Sequence, residues 1–147
     1  MRLTLWNTTP ALAVLALAGQ LWAGGFYLTL GSPEASPEAS KLNAILTIKM
    51  DGCHDPGAAT VTATAIGMVN GQRREIPLQL QSLATPGMYA LAQQWPKEGR
   101  WVLKLVARNG QMFTNSLVTA VPNGIATKEA RTDSREFTTA DVAAMLK

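Results

Sequence analysis

From residue 42 onward the chain alternates apolar and polar residues with the period of a β-strand. Leu42, Ala44, Leu46, Ile48 and Met50 share one face of the first run, Asn43, Thr47 and Lys49 take the other, and Ile45 is the exception. Thr60 to Met68 is rich in β-branched residues, which suit a pleated, half-buried surface. Asn70-Gly71 supplies the two positive φ angles of a tight hairpin. Arg73 to Gln81 alternates next, with Ile76, Leu78 and Leu80 inward and Arg74, Gln79 and Gln81 outward; Pro77 marks an edge strand or a bulge. Met88 to Trp95 is a strand between the turns Pro86-Gly87 and Pro96-Lys97-Glu98-Gly99. Arg100 to Arg108 sets Trp101, Leu103, Leu105 and Ala107 against Arg100, Lys104 and Arg108. Asn109-Gly110 signals a second hairpin into Gln111–Val121, a strand whose free edge would offer a backbone-pairing surface, and Pro122-Asn123-Gly124 ends it.

Short alternating strands joined by Gly, Pro and Asn turns predict an all-β fold, an immunoglobulin-like antiparallel β-sandwich, with a small barrel as the alternative. The strands number six, or seven if Phe26–Leu30 pairs in. The tandem Pro33-Glu34-Ala35-Ser36 and Pro37-Glu38-Ala39-Ser40 reads as a linker or extended loop. Thr139 to Leu146 predicts a short C-terminal helix with Thr138 as its cap and Asp141 in its first turn. The expected organisation is a signal segment over 1–23, a short strand and linker over 24–41, a β-sandwich over 42–122, and a tail with a short helix over 123–147.

The N-terminus departs from this strand pattern. No residue between Arg2 and Glu34 carries a formal charge, and the run Ala11 to Ala18 is apolar. With Arg2 as the positive flank and small residues at Ala18 and Ala23, the segment reads as a cleaved export signal. A helix from Pro10 to Ala23 would be about 21 Å long, short of the ~30 Å hydrocarbon core. Extension through Gly24-Gly25 is unfavourable for a helix but no charge forbids it, so a retained membrane helix is the alternative. The chain is accordingly expected to be periplasmic or secreted, or membrane-anchored if that helix stays.

Composition narrows the classes. The chain has 147 residues, one cysteine, one histidine, 16% charged residues and a net charge of +3. One domain is expected, held by its own core, because a single cysteine cannot form an intrachain disulfide. The basic residues are scattered, with few aromatics among them, which argues against nucleic-acid binding.

Pro86-Gly87-Met88-Tyr89 followed by Gly99-Arg100-Trp101-Val102-Leu103 resembles the punctuation of YtkA-like and FixH-like domains. That resemblance covers about residues 86–110. It implies a small extracytoplasmic β-sandwich behind an N-terminal signal or membrane helix. The methionine- and histidine-rich features of those domains are mostly missing here, which argues against carrying over a copper-related role. The whole chain also resembles exported bacterial proteins with a Gly-Cys-His loop, a likeness that implies no activity.

Candidate chemistry centres on Met50 to Gly57, which sets Cys53 beside His54 in a predicted loop. Thiolate, imidazole and the Met50 thioether would suit copper(I), and zinc would need Asp51 or Asp55 as well. Opposing this, adjacent strand residues point to opposite faces, and a turn with a small buried thiol and a surface imidazole explains the same residues. A catalytic Cys–His pair fails for want of an orienting third group, so no enzyme is predicted and no cofactor is required. Trp95, just before Pro96, is the freer of two tryptophans, whereas Trp101 fits the core. Arg73 and Arg74 beside the Asn70-Gly71 hairpin could contact an anionic partner, or simply protect an edge. The expected role is a non-enzymatic binding or assembly module with a protein partner, engaging Trp95, Arg73 and Arg74. The alternatives are a metal-binding or delivery domain at Cys53, His54 and Met50, and a membrane-tethered accessory subunit.

Overall fold

A computed structural model describes residues 25–52 and 55–147. The expected signal segment lies outside the described residues; none of the described helices is long and apolar enough to cross a membrane. Ten strands form two antiparallel sheets. Sheet A has the order β1-β2-β6-β5, with β1 Tyr27–Gly31, β2 Ala44–Asp51, β5 Gln81–Ser82 and β6 Met88–Ala92. Sheet B has the order β10-β8-β7-β3-β4, with β3 Thr60–Val69, β4 Gln72–Leu78, β7 Arg100–Asn109, β8 Met112–Val121 and β10 Arg131–Asp133. The two-residue β9, Gly124–Ile125, also pairs with β8. This is an immunoglobulin-like sandwich, with an A-B-E-D sheet facing a C′-C-F-G sheet.

The inward residues of both sheets make the main core: Leu46, Ile48 and Met50 from β2, Ala63 and Ala65 from β3, Leu91 from β6, Leu103 and Leu105 from β7, and Val118 from β8. The register is continuous except at Ile45, where Ala44 faces Ala92 and Leu46 faces Leu91, so β2 bulges by one residue. The bulge explains the break in alternation. Ile45 packs on the main core, whereas Ala44 turns to the outer face and joins Ala39, Leu83 and Ala90.

That outer face of sheet A is covered by the tandem repeat, which is not the linker expected. Each copy folds as a turn capped by the serine that precedes it. Ser32 caps a 3-10 turn over Pro33–Ala35, and Ser36 caps helix α1 over Pro37–Lys41. In both, Ser is the N-cap, Pro opens the turn where its missing N–H costs nothing, and Glu favours the positive end. Ala39 is fully buried against sheet A, and both Glu38 carboxylate oxygens accept from the Ala84 N–H at 3.1 Å.

The C-terminal tail is likewise part of the sandwich. β10 pairs with Asn115 to Leu117 and β9 with Ala120 and Val121, so β8 is flanked on both sides. The expectation of a free Gln111–Val121 edge is therefore overturned. Helix α2, Thr139–Met145, lies over the outer face of sheet B. Phe137 and Val142 pack there on Ile66, Val102 and Leu117. Asn115, fully buried, fastens this segment. Its Nδ2 donates to the Asp133 and Arg135 carbonyls at 2.8 and 2.7 Å, and its Oδ1 accepts from the Phe137 N–H at 3.0 Å.

The start of α2 is a capping box, with Thr138 Oγ1 accepting from the Asp141 N–H and Asp141 accepting from the Thr138 N–H. Arg135 bridges to Asp141 at 2.9 Å. This guanidinium, followed by the Thr138 N–H and hydroxyl, holds the Asp141 carboxyl well below the ordinary carboxylate range. The linkage sign follows: a depressed carboxylate contributes stability above its unfolded pKa and loses it as pH falls toward the folded one. Acidification below the ordinary carboxylate range should therefore loosen α2 before it unfolds the sandwich, seen as earlier loss of amide protection at Val142 than at Leu103. Thr138→Ala should cost about 1 kcal/mol at neutral pH, measured by urea unfolding.

Candidate functional site

Strand β4 closes one side of sheet B, and its geometry is set by the Asn70-Gly71 turn. Asn70 and Gly71 have φ values of 51° and 75°, the positive pair of a type I′ turn, and Val69 faces Gln72 across it. A two-residue hairpin makes that closing pair hydrogen-bonded, and bonding then alternates along the ladder. Gln72, Arg74, Ile76 and Leu78 thus bond to β3, while Arg73, Glu75 and Pro77 turn their backbone groups away from it. Pro77, which has no N–H to offer, sits where none is needed.

The side chains of Arg73 and Glu75 lie on the outer face of sheet B, opposite Met68 and Ile66. They form one wall of a cleft of about 320 Å³ whose other wall is the start of α2. Ile66, Val106, Phe137 and Val142 line it with apolar surface, and Thr64, Thr138 and Thr139 bring hydroxyls. Arg73 Nη2 and Nε donate to Glu75 Oε1 at 2.7 and 3.2 Å. Lys104 contributes the second cation, with its ammonium 3.3 Å from both Glu136 Oε1 and the Phe137 carbonyl. Both ion pairs are long or solvent-exposed, and such pairs are worth under about 1 kcal/mol. The cleft therefore holds its cations loosely and can exchange their partners.

The sequence candidates separate in the fold. Arg73 lines the cleft. Arg74 is exposed on β4 but faces Gly67, so it belongs to the other face of the sheet. Trp95 does not present its ring to a partner: it is 7% exposed and packs in the main core beside Trp101. The physical reason is that the chain after Ala92 folds under the end of the sandwich, placing Trp95 against Trp101, Ala120 and Pro122 around a hollow of about 190 Å³. Met50 is also a core residue, 2% exposed between Leu28 and the β6 side of sheet A. Cys53 and His54 lie outside the described residues. No group of three His, Cys, Asp or Glu side chains that could hold a metal ion occurs among the described residues. Lys104, Thr138 and α2 escape sequence reasoning because they reach the cleft from distant segments. The only signal for them was the capping pattern at Thr138 and Asp141.

Nearby in sequence, Asp51 receives hydrogen bonds from Lys49 at 2.7 Å and from the Thr29 hydroxyl at 2.7 Å. Partial burial pushes its pKa up, but the Lys49 and Thr29 hydrogen bonds and the Lys49 charge outweigh this and leave it lowered. Asp51 is thus an ionised, already partnered carboxylate.

No family model, no curated protein and no solved structure matches this chain.

Proposed function

We propose that the chain is a non-enzymatic β-sandwich module that is exported and works by binding a protein partner outside the cytoplasm. The partner engages β4 and the adjoining cleft. One observation carries the reading: an edge strand with outward-facing backbone groups borders a mainly polar cleft that sets Arg73 and Lys104 beside threonine hydroxyls. Backbone pairing along the edge provides affinity, and loosely held charges provide selectivity and orientation. The uncharged apolar run behind Arg2 supports a partner in the periplasm or beyond.

The test is native capture from an extracytoplasmic extract, comparing the wild type with Arg73→Glu. The wild type should retain a stoichiometric protein partner that the variant loses, and its mass should correspond to a chain starting near Gly24. A chain that stays monomeric, holds no partner and turns over a substrate would overturn the reading.

A further inference from the structure

We infer that β4 accepts an extended acidic peptide as an added strand, and that Glu75 occupies in its absence the place of that peptide's carboxylate. The inference rests on the binding-module reading and names its partner class. The backbone provides the first part of the argument. Arg73 and Glu75 both turn an N–H and a C=O outward, and Pro77 adds one more C=O, so the strand is a template for main-chain pairing over its own length. The same two residues project their side chains onto the outer face, beside the cleft. A residue of the incoming strand placed opposite Arg73 or Glu75 therefore shares that face with them.

Charge provides the second part. Two cations, Arg73 and Lys104, look into the cleft from β4 and β7. Each is met by one carboxylate from this chain, Glu75 and Glu136 respectively. The Arg73–Glu75 contact is made between i and i+2 of one strand, both of whose side chains are at least a third exposed. Arg73 Nε and Nη2 converge on a single oxygen, whereas a guanidinium matches a carboxylate best through two parallel bonds to two oxygens. An incoming glutamate or aspartate can make that better match while its backbone pairs with β4. Glu75 is then released to water at little cost. A concave, mainly polar cleft beside a strand edge suits an acidic side chain on an extended chain, not a flat anionic membrane.

The experiment uses the full chain and a fluorescent peptide of about ten residues alternating Glu and Val, the length one edge strand can pair. Binding is read by anisotropy at low and high salt. The acidic peptide should bind, and binding should weaken with salt. Arg73→Gln should weaken it about tenfold, the worth of one charge-assisted bond pair. Glu75→Gln should strengthen it, because the internal competitor is gone. A peptide N-methylated on alternate residues should not bind. Equal binding of a Lys-Val peptide, weaker binding with Glu75→Gln, or full binding of the N-methylated peptide would each overturn the inference. So would Arg73-dependent binding to phosphatidylglycerol vesicles without peptide binding. If native capture still finds an Arg73-dependent partner while the acidic peptide does not bind, the module reading stands and the strand-addition inference alone falls.

Discussion

Asn115→Ala should release residues 133–145 from sheet B and lower stability by about 3 to 5 kcal/mol. The substitution leaves the Asp133 and Arg135 carbonyls and the Phe137 N–H without their buried partner. Each such orphaned group costs about 1–3 kcal/mol if it stays buried. The chain can avoid part of that cost by letting the segment lift into water, which instead gives up the packing of Phe137 and Val142 on Ile66, Val102 and Leu117. Either way the loss is large. Hydrogen exchange distinguishes the two routes: early exchange at Phe137 and Val142 with Leu103 still protected means release, and uniform loss means global destabilisation. Unchanged protection at both positions would show that Asn115 does not fasten the segment.

Gly67→Ala should be nearly as damaging, about 2–3 kcal/mol, although it adds one carbon. Gly67 faces Trp101 across the β3–β7 ladder, and the six-membered ring of the indole fills the space a side chain would take. A Cβ at this position would sit 2.3 and 2.4 Å from two ring carbons. The ring cannot slide aside cheaply. Trp101 is 2% exposed, and its Nε1–H donates to the Glu98 carbonyl at 2.9 Å. Loss of the near-ultraviolet tryptophan signal together with a lowered urea midpoint is the expected result. Trp101→Leu placed with Gly67→Ala should recover part of the stability, because the colliding ring is gone. A double variant no better than Gly67→Ala would show that the cost lies elsewhere.

The elements that could be read from sequence are those whose cause is local. Asn70-Gly71 fixes one hairpin because both residues take the positive φ its turn needs, Gly110 supplies the positive φ of a second whose central residues are Gly110 and Gln111 between the paired Asn109 and Met112, and the alternating runs from Thr60 to Val121 became the strands of the sandwich. Thr138 and Asp141 marked the start of α2 for the same reason. The tandem repeat departs from the linker its composition predicts, because proline and serine serve open loops and helix starts alike. Their order, Ser then Pro then Glu, is the order of a helix start. Trp95 was misread because proximity to Pro96 says nothing about which way the chain turns next. The segment from 124 to 137 could not be read at all: β9 and β10 are two and three residues long, too short for any period, and β10 is held by an amide that stands earlier in the chain. For the candidate site, sequence pointed to Arg73, but Lys104 and the α2 wall became visible only once distant strands were brought together.

The fastening of the tail by Asn115 bears on the order in which the chain becomes complete. The elements that close β8 and cover Leu117 follow all the strands they protect. A chain threaded through a membrane N-terminus first would therefore present its finished hairpins while one long strand was still bare and one apolar stripe still wet. Only the arrival of residues 124–145 covers that strand and that stripe. A chain cut short after Val121 should therefore be sticky, readily captured by chaperones and proteases, and rapidly removed.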